Sequence, residues 1–276
     1  MLLLLNEVFV VSLGSRSLSP MDKNCVVLLI SFSAVCQMGE KMLHVILLES
    51  ALELVPSEIS SQKQIQQFAQ KRKKKPNELL LDQNYHGQAM LKLDGHERRG
   101  RPDIVYLCLM TLLESPLCKQ GALRVLVHLQ DGRMIEFDPS VRLPRNYDRF
   151  TGLFEQILLF GHVPPKGDPL VRITGQSLSE YLQTLPDDTD TYLATEGGET
   201  TNIKKLLTIF QSIDSESDVV FGVGAFPHGN ISESVAEMFK SHLELDPEIM
   251  MAWHVCAEIL WIYSQRIQTV EKRYST

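Results

Sequence analysis

The amino-acid sequence predicts an α/β domain whose sheet is mostly parallel and flanked by helices, and three observations carry that expectation. Residues 42–48 form an apolar run with a β-branched centre, the pattern of a strand buried on both faces. From residue 170 to residue 267, strand-like segments alternate with helix-like ones, as in βα units. The 276 residues are 44% hydrophobic and 22% charged, enough to bury the core of one large domain with an appendage.

Residues 1–41 stand apart. Their apolar runs, 1–5, 8–11 and 25–38, are broken by a Ser-rich stretch at 12–19. None reaches the roughly 18 residues of a membrane span. The first eleven residues carry only Glu7 as a charge, so no basic leader of the secretory kind is present. The segment reads as an extension, disordered or not translated, as from an upstream start codon. The folded domain is expected over 42–276.

After the first strand, residues 49–55 read as a short helix stopped by Pro56. Residues 57–77 read as a Gln- and Lys-rich linker or mobile loop ending in a basic run, 71–75, that is either solvated or a nucleic-acid contact. Residues 104–113 have helical spacing. Residues 123–129 and 134–137 form a hairpin around Asp131-Gly132, and 150–160 are helical again. The second alternation runs strand 170–173, helix 178–185, strand 191–194, helix 203–210, strand 218–223 and helix 250–267.

Charge is unevenly divided. Residues 1–149 carry 19 Lys and Arg against 16 Asp and Glu, whereas residues 150–276 carry 8 against 18, which points to one region meeting a polyanion. Five Cys with no C-x-x-C pair argue against a disulfide scaffold or thiolate metal site and for a reducing compartment.

Two strand ends carry glycines that let backbone approach a ligand: Thr195-Glu-Gly-Gly198, and Gly222-Val-Gly-Ala-Phe-Pro-His-Gly229. The second lacks the third glycine of a dinucleotide fingerprint and the Lys-Ser/Thr of a P-loop, so an ordinary strand-to-helix loop is the competing reading. Two arginine groups follow the same logic. Arg98-Arg-Gly-Arg101-Pro-Asp103 and Arg142-Leu-Pro-Arg145-Asn-Tyr-Asp-Arg149 present guanidinium forks that suit phosphate oxygens. If Tyr147 onward is helical, Arg145 and Arg149 share a face. The competing reading pairs these arginines with Asp138, Asp148 and Asp103 as surface ion pairs.

Five segments occur in order: Leu80-Leu-Asp-Gln-Asn-Tyr-His-Gly-Gln-Ala-Met90, Arg101-Pro-Asp-Ile-Val105, Leu112-Leu-Glu-Ser-Pro-Leu117, Arg142-Leu-Pro-Arg-Asn-Tyr-Asp-Arg-Phe150 and Gly224-Ala-Phe-Pro-His-Gly229. Together they resemble the small-subunit ribosomal RNA pseudouridine N1-methyltransferase family of ribosome biogenesis. The resemblance runs from about residue 42 to about residue 263. It implies the SPOUT class, with a trefoil-knotted α/β fold, a homodimer and S-adenosylmethionine as methyl donor.

Carried onto this sequence, it implies a cofactor site of Thr195, Gly197, Gly224, Gly229, Leu245, Asp246, Pro247, Glu248, Ile249 and Met250. Arg101, Arg142, Arg145 and Arg149 would bind small-subunit ribosomal RNA, in the cytoplasm, or the nucleolus of a eukaryote. The helix at 250–267, with Trp253 and Trp261, would line the dimer seam. Arg101 and Asp103 are the implied catalytic pair. Asp103 either orients Arg101 through a charge-assisted hydrogen bond or acts as general base. A carboxylate beside guanidinium is a poor proton acceptor, which favours orientation. A first-turn acid at a helix dipole is compatible with both. No metal is implied. The rival readings are an RNA-binding assembly factor with little or no methyl transfer, against which the intact Gly224 and Gly229 argue, and a related enzyme acting on transfer RNA.

Overall fold

The computed structural model describes residues 42–213 and 217–268, so the expected extension over 1–41 lies outside the described residues. Strand β1 (Leu43–Ser50) is buried along its whole length. Leu43, Val45 and Leu47 face one core while Ile46 and Leu48 face another, which is why the run is apolar without alternation.

The helix expected over 49–55 does not form. Glu49 adopts a left-handed φ of 46°. The following amides are spent on distant partners, Ala51 N on Ala225 O and Val55 N on Leu79 O, and Leu54 bridges Leu80. The linker expected over 57–77 is likewise structured. Helix α1 (Lys63–Arg72) buries Ile65 and Ala69, an apolar stripe of one i, i+4 pair that a Gln-rich sequence hides. Its Phe68 stacks on Tyr85 of α2 (Gln83–Met90), with ring centroids 4.5 Å apart.

Helix α3 (Pro102–Leu113) starts with Pro at its first position and Asp103 in its first turn. A short α4 (Pro116–Lys119), capped by Ser115, leads into β2 (Leu123–Leu129) and β3 (Met134–Phe137), the expected hairpin. Helix α5 (Tyr147–Phe160) follows, then β4 (His162–Val163), β5 (Val171–Thr174), α6 (Leu178–Gln183), β6 (Asp190–Thr200), α7 (Ile203–Ser212), β7 (Val219–Gly224), α8 (Glu233–Ala236), β8 (Ser241–Glu244) and α9 (Ala252–Arg266).

The strands form one sheet in the order β4-β5-β3-β2-β1-β7-β6-β8. From β2 through β8 neighbours are parallel, and β3, β5 and β4 extend the sheet as an antiparallel edge. One face packs on α3, α5, α7 and α9 through residues such as Val105, Phe154, Phe210 and Ile259. The other packs on Leu178, Tyr181, Val235 and Phe239. The parallel half is thus covered on both faces, and its carboxyl edge is the natural ligand position.

Candidate functional site

Four adjacent parallel strands, β1, β7, β6 and β8, end at the same edge and bring together the segments expected to hold a cofactor. The first contributes Glu49 and Ser50. The second runs into the 224–229 loop, anchored by Ala225 N to Leu48 O at 2.9 Å. The fourth runs into residues 245–250, where Leu245 and Met250 pack on the core, Asp246 accepts from Glu248 N at 2.8 Å, and Ile249 is 82% exposed.

The third strand differs from expectation. Thr195 to Gly198 is not a turn after β6 but a bulge within it: Ala194 and Glu199 both pair with Leu243, so the four residues between them are extruded. Gly197 takes φ 70° and donates its amide to Glu244 Oε1 at 3.0 Å. Gly198 is needed for close approach, because a Cβ there would lie 2.8 Å from the His242 backbone. The glycines of the β7 loop are explained by the protein's own side chains. A Cβ on Gly224 would meet the Phe226 ring at 3.1 Å, and one on Gly229, at φ 87°, would meet Arg98 at 3.0 Å.

The two arginine groups have different fates. In the first, every guanidinium is committed. Arg98 pairs with Glu49 at 2.7 Å, and Arg99 grips Glu53 with two bonds of 2.7 and 2.6 Å, so ion pairing is the correct reading there. Arg101 donates to both oxygens of Asp103 at 2.8 Å, and that pairing raises the Arg101 guanidinium still further above its ordinary value. The Arg101 amide donates to Ala51 O, and the Ala51 amide donates to Ala225 O. Arg101 and Asp103 therefore lie two backbone hydrogen bonds from the glycine loop.

In the second group Arg142, Arg145 and Arg149 are exposed, and among the described residues none of them makes an ion pair. Asp138 is instead occupied by Ser140 and Asp103 by Arg101. The expected shared helical face is absent, because Asn146 is the N-cap of α5, bonded to Arg149 N at 3.0 Å, and Arg145 precedes it. Arg142 folds its Nη1 back onto Val141 O at 2.8 Å.

Residues that sequence reasoning did not single out hold this loop. Tyr106 donates to Arg145 O, and Tyr147 donates to Asp82 Oδ2 at 2.7 Å. Burial, reinforced by the Asp82 bond, pushes the Tyr147 hydroxyl well above its usual range and keeps it a donor. Asp82 also caps α2 through Asn84 N, and its own amide donates to His86 Nδ1 at 3.1 Å. Their signal was present in two of the five quoted segments, which contain Asp82 and Tyr147, but only the fold shows that these segments meet. The basic run is partly internal: Arg72 and Lys74 donate to the buried Glu155 at 3.4 and 2.5 Å, leaving Lys71, Lys73 and Lys75 exposed.

A sheet parallel from β2 through β8, with a bulged strand and a glycine loop at its carboxyl edge, defines an α/β protein with a ligand position at that edge. Residues 45–263 match the family model described as EMG1/NEP1 methyltransferase, and the chain belongs to that family. It is 38% identical over 219 residues to a ribosomal RNA small subunit methyltransferase Nep1 of Staphylothermus marinus, covering 79% of this chain and 93% of that one. To the protein of the same name from Thermococcus sibiricus it is 42% identical over 222 residues, covering 80% and 97%. Among solved structures, Archaeoglobus fulgidus Nep1 bound to S-adenosylhomocysteine superposes with a TM-score of 0.72 at 31% identity, over 84% of this chain and 100% of that one.

Proposed function

We propose that this chain uses S-adenosylmethionine to methylate N1 of a pseudouridine in small-subunit ribosomal RNA during ribosome biogenesis. The observation that carries the reading is the meeting of Thr195, Gly197, the 224–229 loop and residues 245–250 at one sheet edge, two backbone hydrogen bonds from Arg101. These residues fit the donor: backbone polar groups at the strand ends suit its polar amino-acid and ribose parts, and the exposed apolar side chain of Ile249 suits a purine face.

The donor's sulfonium supplies an already electrophilic methyl group, so the protein's task is alignment and help in losing the N1 proton. Arg101, held bidentately by Asp103, presents a fixed cation beside the loop; Arg142, Arg145 and Arg149 grip the RNA backbone around a looped-out base. Both oxygens of Asp103 accept from Arg101, an arrangement that suits orientation better than proton abstraction.

The chain acts as a homodimer with a knotted carboxyl-terminal region. Trp261, 63% exposed on α9, belongs to the dimer seam, and Trp261→Lys would turn a sedimenting dimer into a monomer. Among the described residues no helix is long and apolar enough to cross a membrane. The test of the activity is methyl transfer to an RNA hairpin carrying pseudouridine. Methylation of that hairpin but not of its uridine counterpart is expected, whereas binding without transfer would leave an assembly factor.

A further inference from the structure

We infer that Arg98 and Glu49 form a latch that positions the 224–229 loop, a role that rests on that loop receiving the methyl donor. Arg98 divides its guanidinium between the segment that follows β7 and Glu49 of β1. Its Nη1 donates to Asn230 O at 2.5 Å, and its plane lies over the Phe226 ring at 3.9 Å. Its Nη2 donates to Glu49 Oε2 at 2.7 Å. Glu49 in turn accepts the Ser232 amide at 3.3 and 3.2 Å. The loop is thus held at Phe226, Asn230 and Ser232 by one ion pair.

The other end of the latch is rooted in the sheet. Glu49 is the penultimate residue of the buried β1 and keeps a left-handed backbone, φ 46°, which a non-glycine residue adopts only when its surroundings impose it. Its amide donates to His128 Nδ1 at 3.3 Å, and Gln130 Nε2 bridges the carbonyls of Glu49 and Arg98 at 3.3 and 2.8 Å. The Glu49 side chain is 12% exposed and that of Arg98 27%, so solvent screens the pair less than a surface contact.

Geometry also explains the glycine: at Gly229 any Cβ would press on the Arg98 guanidinium. Three residues after Arg98 stands Arg101, whose amide is tied to Ala51, so the same short segment that latches the donor loop also carries the cation proposed for RNA. Lysine can replace Arg98 only in part, keeping the charge, because the latch uses both the fork and the plane of the guanidinium.

The test compares the full-length chain with Arg98→Ala, Arg98→Lys, Glu49→Ala and, as a control for the loop itself, Gly224→Val. S-adenosylmethionine affinity is read by calorimetry, RNA affinity by titration, steady-state constants by methyl transfer, and folding by thermal melting. Arg98→Ala and Glu49→Ala should raise Kd and KM for the donor about tenfold or more, with kcat at saturation within about twofold and RNA affinity unchanged. Arg98→Lys, which folds with the charge retained, should fall between them and wild type. Wild-type donor affinity in Arg98→Ala, with affinity abolished in Gly224→Val, overturns the latch and leaves the loop in place. Wild-type affinity in both removes the loop reading, and the latch with it. A lowered melting temperature with unchanged donor KM reduces the pair to a structural contact. Weakened RNA binding with a flatter salt dependence would reassign Arg98 to a phosphate.

Discussion

Asp103 offers both oxygens to one guanidinium, and that geometry distinguishes its two candidate roles by experiment. If its task is to orient Arg101, Arg101→Ala and Asp103→Ala lose RNA affinity and turnover together, to a similar extent, in binding and methyl-transfer assays. If it is a base, Asp103→Ala binds RNA normally and its impaired turnover partly recovers as pH rises. A second residue sets an acid limit on the fold. His86 is fully buried, its Nδ1 accepts the Asp82 amide, and burial holds its pKa down at about 4. The folded chain therefore keeps His86 neutral while the unfolded chain takes up a proton below its ordinary 6.5. Stability falls as pH drops from about 6.5 to 4, by no more than about 3 kcal/mol from this group. His128, lowered in the same sense by burial, adds to it. Denaturant melts across that range should show a shallower acid limb for His86→Phe, on a lower baseline because the Asp82 amide loses its acceptor.

At the scale of elements, what the sequence made legible follows from where each backbone finds its partners. Strands β1, β2, β3 and β7 and helices α3, α5, α7 and α9 carry their own periodicity, and their expected positions agree with the structure to within a few residues. The segment at 49–55 does not, because its amides and carbonyls pair with residues 79–81 and 225, which no local pattern reveals. The Arg98 and Arg99 pairs were hidden for the same reason, their carboxylates lying 49 and 46 residues upstream. Helix α1 was hidden by polarity, and the basic run that overlaps its end by a partner on α5. Glu155 is 1% exposed and accepts from Lys74, Arg72 and the Leu80 amide. Removing it leaves two cations facing a dry site and an amide unpaired. Because those cations are themselves partly exposed, Glu155→Ala should cost about 2 to 4 kcal/mol, somewhat less than a fully buried pair. Lys75→Ala, at an 80% exposed side chain, should change stability by less than about 0.5 kcal/mol in the same denaturation experiment.

For the whole molecule the question is how a chain of net charge −7 holds a polyanion, and the division of charge answers it. Acidic residues are concentrated after residue 150, while the exposed arginines lie at 142–149, on a loop and the first turn of α5 braced by Tyr106 and Tyr147. Bracing matters because an ordered guanidinium loses less freedom on binding phosphate. Residues 1–40 lie outside the stretch that matches the family, and their deletion is expected to leave melting temperature and methyl transfer unchanged. The arginine loop is where binding should be most sensitive. Arg142→Ala, Arg145→Ala and Arg149→Ala remove charges that make no ion pair among the described residues, so melting temperature and donor affinity should stay near wild type. RNA affinity should fall, and each phosphate deprived of its guanidinium should reduce the slope of log affinity against log salt by roughly 0.7 to 0.9. Titrations at several salt concentrations decide the matter: a weaker but equally steep dependence would mean that these arginines act on the RNA without neutralising its phosphates, and wild-type affinity in all three would take the RNA face away from this loop altogether.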